Sequence, residues 1–230
     1  MRWTDPIKDL LHIIFPSHCC CCNELLVGDE HDICLHCLLS LPYTHTAAIE
    51  DNPTEMMFKG RFRCEAATAL LAFKQDNLTQ KIVHNIKYYG QQRLGISMGC
   101  LIGNTLQASG RYNDIDIIIP VPLHKKKEQK RGYNQSDLLC KGINEVLKKE
   151  ISIGNLTRVV DTESQTHKSP EERIENMDGV FKVRHPEEFR GKHLLIVDDV
   201  ITTGATISGC CYELEKIPGV RISIAALAKA

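Results

Sequence analysis

The chain has 230 residues, of which 43% are apolar, and a formal net charge of −1. This length can bury a full α/β core with a smaller appended module. The near-neutral charge excludes a global attraction to nucleic acid or to an anionic membrane. The apolar part of residues 7–15 is too short and interrupted for a signal peptide, and no stretch approaches the roughly 18 apolar residues of a membrane span. The sequence therefore predicts a cytoplasmic protein without a membrane span.

The cysteines are concentrated near the N-terminus. The chain holds eleven cysteines. Because this number is odd and a reducing compartment is expected, metal binding is favoured over disulfides. Two C-x-x-C pairs, Cys19 with Cys22 and Cys34 with Cys37, flank a loop of eleven residues. Four thiolates at this spacing predict a closed, structural Zn²⁺ site of tetrahedral geometry. Two alternatives stay open: the thiols are free or redox-active, or another side chain replaces one ligand. The candidate replacements are His18, Cys20, Cys21 and His36.

A polar link follows the cysteines. Residues 42–63 contain Asn52-Pro53 and Gly60 without periodicity, and they predict the boundary of a zinc module and link at residues 1–60. Next, residues 66–73 predict a strand. Apolar spacing predicts two helices, over residues 78–88 and 94–106. The Lys87-Tyr88-Tyr89-Gly90 segment at the end of the first helix is either a cationic helix C-terminus closed by glycine or a substrate contact.

A strand over residues 115–124 opens the core and contains Pro120 and Pro122. A basic loop, Lys125 to Arg131, lies between this strand and a helix that runs to Lys149. Strand, basic loop and helix in this order predict an anion site built from side-chain charge. The alternative is a solvated basic loop.

The rest of the core contains a long polar segment. Residues 155–160 predict the second core strand, and residues 161–184 follow without regular structure. A segment longer than about 15 residues inside a compact domain is usually a lid or a binding segment. Residues 220–227 predict the last parallel strand.

Residues 193–206 are the most informative stretch. An apolar run rich in β-branched residues predicts a buried parallel strand, with Asp198 and Asp199 at its carboxyl end. A small, hydroxyl-rich turn then leads into a helix whose first N–H groups favour an anion. Two carboxylates would repel a phosphate, so they serve hydroxyl groups or a cation beside it. A ribose 5-phosphate meets both demands; the ordinary alternative is a β–α turn with a capping threonine.

At these residues the chain resembles the type I phosphoribosyltransferases, whose motif for 5-phosphoribosyl 1-diphosphate (PRPP) is a strand, two acidic residues and a T-T-G-x-T turn. The sequence VDDVITTGAT matches each of those positions. The resemblance implies that Asp198 and Asp199 hold the ribose 2- and 3-hydroxyls and that the turn holds the 5-phosphate. The PRPP-binding residues that it implies are Asp198, Asp199, Val200, Ile201, Thr202, Thr203, Gly204, Ala205 and Thr206.

Further motifs narrow the resemblance. The strings PVPLHxxxxxxRGYNQ, TRxxxTxSQ followed by ERxxNMxGVF, IKYYG, VDDVITTGAT and the paired C-x-x-C knuckles are similar to the ComF family, competence-associated proteins with a phosphoribosyltransferase fold. The similarity extends from Cys19 to Leu227. It implies an α/β fold, a parallel sheet flanked by helices, with a small N-terminal zinc ribbon of four cysteines. The phosphoribosyltransferase domain would span residues 61–230, with a hood at about 64–110 and a core at about 111–230.

The resemblance also implies a chemistry. A nucleophile would displace pyrophosphate from C1 of PRPP, with Asp198, Asp199 and Arg131 as catalytic residues, and Mg²⁺ would be carried mostly by the pyrophosphate and the ribose hydroxyls. Residues 161–184 would close over PRPP. The residues assigned to the pyrophosphate and the lid are Pro122, Leu123, Lys125, Arg131, Arg158 and Arg173.

Two functions follow from these patterns. One is phosphoribosyl transfer from PRPP. The other is a non-catalytic module that binds PRPP or a related ribose 5-phosphate and acts in handling single-stranded DNA, through DNA itself or through competence proteins. The basic loop favours contact with DNA, whereas the neutral charge and the few aromatic residues argue against it. No motif identifies the acceptor.

Overall fold

The computed structural model describes residues 17–74, 77–160 and 179–230. Its helices are α1 (Leu35–Leu39), α2 (Pro53–Phe58), α3 (Leu78–Tyr88), α4 (Gln92–Ser109), α5 (Lys125–Arg131), α6 (Gln135–Leu147) and α7 (Ala205–Glu215). Its strands are β1 (Ala66–Ala72), β2 (Ile117–Pro120), β3 (Glu150–Ile151), β4 (Leu156–Arg158), β5 (Phe181–Val183), β6 (His193–Ile201) and β7 (Arg221–Lys229). Within these ranges, no helix combines the length and the apolar character that a membrane crossing needs.

Five parallel strands form the central sheet, in the order β1-β7-β6-β2-β3. Strands covered on both faces need continuous apolar runs, which β6 supplies from Leu194 to Val197. Leu195 and Val197 pack in the layer that contains α4 and α6, whereas Leu194 and Ile196 pack in the layer of α7. The α/β class predicted from the sequence is therefore confirmed.

Helices α4 and α6 pack with their backbones in contact. A Cβ atom at Gly142 would lie 2.0 Å from the Ile96 carbonyl oxygen, and one at Gly99 would lie 2.3 Å from the Leu139 carbonyl oxygen. Only glycine fits at such distances. The contact fixes α6 against the sheet, and with it the N-terminus of α6, which lies at the carboxyl edge of the strands.

The residues before the first predicted core strand belong largely to this sheet. Strand β1 is its edge strand and pairs with β7, and α3 and α4 pack on the face that also carries α6. Residues 64–110, the segment in which the resemblance places a hood, thus supply an edge of the central sheet and part of one helical layer.

The prediction of a second core strand at residues 155–160 is wrong. Strand β4 pairs antiparallel with β5 in a separate two-stranded sheet. The strand beside β2 is β3, only two residues long. Lys148 ends α6 in the left-handed conformation, with φ 53°, and so returns the chain to the sheet at once.

The predicted basic loop is helix α5. The His124 side chain accepts a hydrogen bond from the Lys126 amide at its start, and Gly132, with φ 81°, ends it. Lys, Arg, Gln and Glu are all strong helix formers, and every residue of α5 is one of these. The cations therefore lie on a helix with defined directions instead of on a solvated loop.

The polar link contains helix α2, which is anchored to the sheet. Buried Asn52 caps this helix by accepting hydrogen bonds from the Thr54 and Glu55 amides, and it donates to the Ala67 carbonyl of β1 at 2.8 Å. Phe58 at the end of α2 is fully buried. The link therefore packs against the same sheet as the core helices.

Candidate functional site

The turn after β6 has the form of an anion cradle. Strand β6 ends at Ile201, and Gly204 precedes helix α7 with φ 75°. The first N–H groups of a helix have no intrahelical acceptor and carry the positive end of its dipole. Two features require glycine at position 204: its φ is left-handed, and a Cβ there would lie 2.7 Å from Phe58 Cε1. Helix α2 thus supports the cradle from below.

The predicted motif residues take three positions around this turn. Val200 and Ile201 form the last positions of β6, where Ile201 is buried in the core. Thr202 and Thr203 form the exposed part of the turn. Outside the motif, Arg61 donates a hydrogen bond to the Thr203 carbonyl at 2.9 Å, which the sequence pattern alone did not indicate. Ala205 and Thr206 open helix α7.

The acidic pair lies in β6 beside the cradle. Burial and the neighbouring Asp199 carboxylate raise the pKa of Asp198 to about 7. Two hydrogen bonds oppose this shift: the Asp199 amide donates to Asp198 Oδ1 at 2.8 Å, and Ser136 Oγ lies 3.5 Å from the same atom. The carboxyl group of Asp198 therefore titrates near neutrality, beside Asp199.

Lys87 is a site residue that sequence reasoning left undecided. Its Nζ atom lies 2.7 Å from Asp199 Oδ2, and the two side chains are only 22% and 18% exposed. The contact joins the last turn of α3 to β6. The available signal was the IKYYG string, but a lysine at a helix C-terminus has an ordinary structural explanation. The contact with Asp199 favours a role in the site.

A cationic cavity of about 590 Å³ opens beside Lys87. Arg131 at the end of α5 is fixed inside it: its NH1 donates to Gln135 Oε1 at 2.7 Å, and its guanidinium lies 5.5 Å from the centroid of the Tyr88 ring. We call this space the cationic cavity; its lining residues are Lys87, Tyr88, Gly90, Lys126, Lys127, Lys130, Arg131 and Tyr133. No carboxylate is among them, so an anion is the ligand that the cavity suits.

Four of the predicted pyrophosphate and lid residues meet in a second cavity, of about 180 Å³. Pro122 and Leu123 line it together with Lys125 and Arg158. Asp137 also lines it, and burial, followed by the charge of Glu128, raises the pKa of Asp137 to about 6. The predicted pyrophosphate residues are thus divided between two cavities, because Arg131 lies in the cationic cavity. The remaining one, Arg173, lies outside the described residues, as does most of the predicted lid (residues 161–178).

The four predicted zinc ligands converge. The Sγ atoms of Cys19, Cys22, Cys34 and Cys37 all lie within 4.8 Å of one another, close to the roughly 3.8 Å that tetrahedral Zn–S bonds require. Among the described His, Cys, Asp and Glu residues, these form the one group with this geometry. Cys20, Cys21, His18 and His36 do not join it.

Backbone amides point at this sulfur cluster. Amide groups of Cys21 and Cys34 donate to Cys19 Sγ at 3.4 and 3.3 Å, and the Cys37 amide donates to Cys34 Sγ at 3.4 Å. Burial opposes ionisation of Cys19, but the amide hydrogen bonds outweigh it and lower the pKa of the thiol to about 6. Donors aimed at sulfur stabilise thiolates, so the residues fit a metal of the zinc type.

Comparisons with known proteins find a matching family model and several similar chains. The family model described as "Phosphoribosyl transferase domain" matches residues 144–230. The chain is 32% identical to "DNA utilization protein YhgH" of Salmonella typhi over 130 residues, which are 55% of this chain and 56% of that relative. It is 29% identical to "Competence protein F" of Haemophilus influenzae over 157 residues, or 65% and 67% of the two chains. Identity with "Competence protein ComFC" of Bacillus subtilis is 31% over 107 residues, or 45% and 41%. The chain therefore spans just over half the length of the Salmonella relative.

Proposed function

The chain belongs to the ComF family, and we propose that it binds PRPP at the carboxyl edge of the central sheet and transfers the phosphoribosyl group with release of pyrophosphate. The observation that carries this proposal is the placement of the Asp198–Asp199 pair directly before the N-terminus of α7, whose cap residue Gly204 makes no side-chain hydrogen bond. Carboxylates and N–H groups at neighbouring positions suit a ligand that presents both hydroxyls and a phosphate.

The ribose and its 5-phosphate occupy the cradle in this proposal. Asp198 and Asp199 accept hydrogen bonds from the ribose hydroxyls, and residues 202–206 donate N–H and hydroxyl groups to the 5-phosphate. The same carboxylates would be hard oxygen ligands for the Mg²⁺ that accompanies PRPP, and that ion would supply charge neutralisation at the diphosphate. Lys87 holds Asp199 in position before the sugar arrives.

The diphosphate lies toward the cations of α5 in this proposal. Lys87 contacts the acidic pair and lines the cationic cavity, so the two sites share one residue. Cations held in place before reaction stabilise the negative charge that develops on the departing pyrophosphate. Arg131 is the best placed of them, since both Gln135 and Tyr88 hold it.

Pyrophosphate release tests the enzymatic part of this proposal. Purified protein with PRPP and Mg²⁺ is offered nucleobases or ammonia, and released pyrophosphate is measured against Arg131→Met and against Asp198→Asn with Asp199→Asn. We expect release that depends on the acceptor and falls at least tenfold in both variants. A wild-type protein that binds PRPP but releases no pyrophosphate with any acceptor would identify a non-catalytic binding module.

We also propose that the four cysteines hold one structural zinc ion. The supporting observation is their convergence with amide donors aimed at the sulfur atoms. In this division the zinc module and link occupy residues 1–60 and the phosphoribosyltransferase domain residues 61–230, and the reduced thiolates suit a cytoplasmic location. Elemental analysis should find one zinc per chain in the wild type. Full zinc content after Cys37→Ser would overturn the ligand assignment.

A second candidate function, contact with single-stranded DNA, is favoured by exposed aromatic side chains at the C-terminal end of α3, where Tyr88 lines the cationic cavity. Tyr88 and Tyr89 are 63% and 68% exposed, and both rings approach His84. Exposed rings beside cations are the elements that bind bases and phosphates of single strands. Fluorescence anisotropy with a labelled oligonucleotide tests this role. Tyr89→Ala should weaken binding several-fold, and Tyr43→Ala, a half-buried ring on another element, should not; equal affinities of both variants and the wild type would rule the aromatic contact out.

A further inference from the structure

Gln135 is a buried polar residue that contacts Arg131 but has no assigned role of its own in the proposed function. It is the first residue of α6 and is only 1% exposed. Its Oε1 atom accepts the hydrogen bond from Arg131 NH1, whereas its Nε2 atom is buried and finds no hydrogen-bond partner among the described residues. A buried donor without a partner is unfavourable, so a leucine or methionine would serve stability better at this position. The amide therefore needs an explanation other than packing.

The surroundings of Gln135 connect it with the acidic pair. Gln135 and Asp199 are the two polar residues that line a narrow crevice at the foot of the site. The other residues of the crevice are apolar: Val83, Ile86, Leu139 and Leu227. The oxygen of the amide thus contacts Arg131 in the cationic cavity, and the residue also lies beside Asp199, one of the two carboxylates that would hold the ribose.

The chain geometry makes Gln135 a fixed anchor for Arg131. Gly132 turns the chain between α5 and α6 with φ 81°, which brings residues 131 and 135 together. Asn134 caps α6, and its Nδ2 atom donates to the Val121 carbonyl at 3.0 Å, so the N-terminus of α6 is fastened to the segment that follows β2. An arginine held by such an anchor loses less side-chain freedom when it binds an anion.

We propose that Gln135 is a positioning residue for diphosphate binding: its carbonyl oxygen holds the Arg131 guanidinium in the cationic cavity, an acceptor that the fold keeps although the Nε2 atom of the same amide stays unpaired. The inference rests on the proposed function, because it takes the cationic cavity to be the diphosphate site. It assigns to this residue a role that differs from direct charge neutralisation, which belongs to Arg131 and the lysines.

Calorimetric titration with inorganic pyrophosphate tests the inference through double variants. Gln135→Met keeps the length of the side chain and removes both polar atoms, and Arg131→Met removes the cation. Each should weaken pyrophosphate binding about tenfold, and the double variant should bind no more than twofold more weakly than Arg131→Met, because without its cation the anchor has nothing to hold. Lys130→Met is the matched control: it removes a cation of the same cavity that Gln135 does not contact, so its effect should multiply with that of Gln135→Met.

A second variant protects the test against a general loss of folding. Gln135→Glu keeps an acceptor for Arg131. The chemical shift of the Arg131 side-chain Nε–H resonance in ¹⁵N spectra should therefore stay close to the wild-type value in this variant and move to that of a free arginine side chain in Gln135→Met. Wild-type pyrophosphate affinity in Gln135→Met, or effects of Gln135→Met and Arg131→Met that multiply, would overturn the positioning role and leave the proposed function intact. A wild-type protein that binds no pyrophosphate would overturn the diphosphate site itself and this inference with it.

Discussion

The polar side chains at the two ends of β6 have opposite surroundings. At the amino end, every hydrogen-bonding position of the His193 ring is used: Nδ1 lies 2.9 Å from Asp114 Oδ1, and Nε2 lies 2.9 Å from Ser223 Oγ. Arg221 NH1 adds a bond to Asp114 at 2.6 Å. At the carboxyl end, Asp198 and Asp199 stand side by side, and Lys87, which contacts Asp199, lines the open cationic cavity. One network pairs its polar groups among themselves, and the other holds two carboxylates side by side with a cationic cavity nearby.

The difference separates a structural network from a functional one. The Asp114, His193 and Ser223 side chains are connected in the order of a hydrolase triad, yet Ser223 is fully buried, so no substrate reaches its hydroxyl. Buried polar side chains that all have hydrogen-bond partners, as in the His193 network, stabilise the fold. Buried carboxylates side by side, as at Asp198 and Asp199, destabilise the ligand-free protein. Such a loss of stability is expected at a binding site. Side-chain identity alone would not distinguish these cases.

The largest expected effect on stability is at the amino end of β6. His193→Leu leaves the Ser223 hydroxyl and the Asp114 carboxylate without the ring, so the free energy of unfolding should fall by about 3 kcal/mol, while PRPP affinity should stay unchanged because the cradle lies at the other end of the strand. Urea unfolding and calorimetry measure the two quantities. The exposed His185, changed to Ala, is the control and should alter stability by less than about 0.5 kcal/mol. A folded His193→Leu protein with impaired PRPP binding would break the comparison.

The next effect has opposite signs at the two ends. Asp198→Asn removes a buried charge beside Asp199, so at pH 8 the free energy of unfolding should rise by about 1 kcal/mol, whereas PRPP affinity should fall at least tenfold. The same change at Asp114 removes a carboxylate that His193 and Arg221 use, so stability should fall by about 1 kcal/mol with PRPP affinity unchanged. Destabilisation by both changes would mean that the acidic pair is satisfied without ligand.

The smallest effect is the pH dependence of stability. Burial lowers the pKa of His193 from its ordinary 6.5, so its contribution is complete above pH 6.5 and is lost as the pH falls. The pKa of Asp198 is raised from 3.8 to about 7, so its contribution is complete below pH 3.8 and is lost as the pH rises toward 7. The stability of the wild type relative to His193→Leu should therefore fall toward acid, and its stability relative to Asp198→Asn should fall toward base. Unfolding midpoints from pH 4 to 8 measure both; slopes of equal sign would contradict this account.

The sequence predicted the parts of the site that are local in the chain. The strand, acidic pair, turn and helix of residues 193–206 are contiguous, and the two C-x-x-C pairs fix their own geometry through spacing, so both appear where they were expected. Lys87 and Gln135 could not be assigned in this way, since their partners come from other elements. Strand β3 has only two residues, too few to show the apolar pattern of a strand. In α5 the run of charged residues was interpreted as a loop, although these residues are strong helix formers.

Calorimetric titration of PRPP with Mg²⁺ tests the central claim, that the carboxyl end of β6 is a ribose-phosphate site, most directly. The wild-type protein is compared with the double variant Asp198→Asn and Asp199→Asn, with Asp114→Asn as the control for a carboxylate at the opposite end of the sheet. Each lost hydrogen bond to a charged group is worth about 1.5–3 kcal/mol, so the double variant should bind PRPP at least tenfold more weakly, and the control should bind as the wild type does. Unchanged PRPP affinity in a folded double variant would contradict the account.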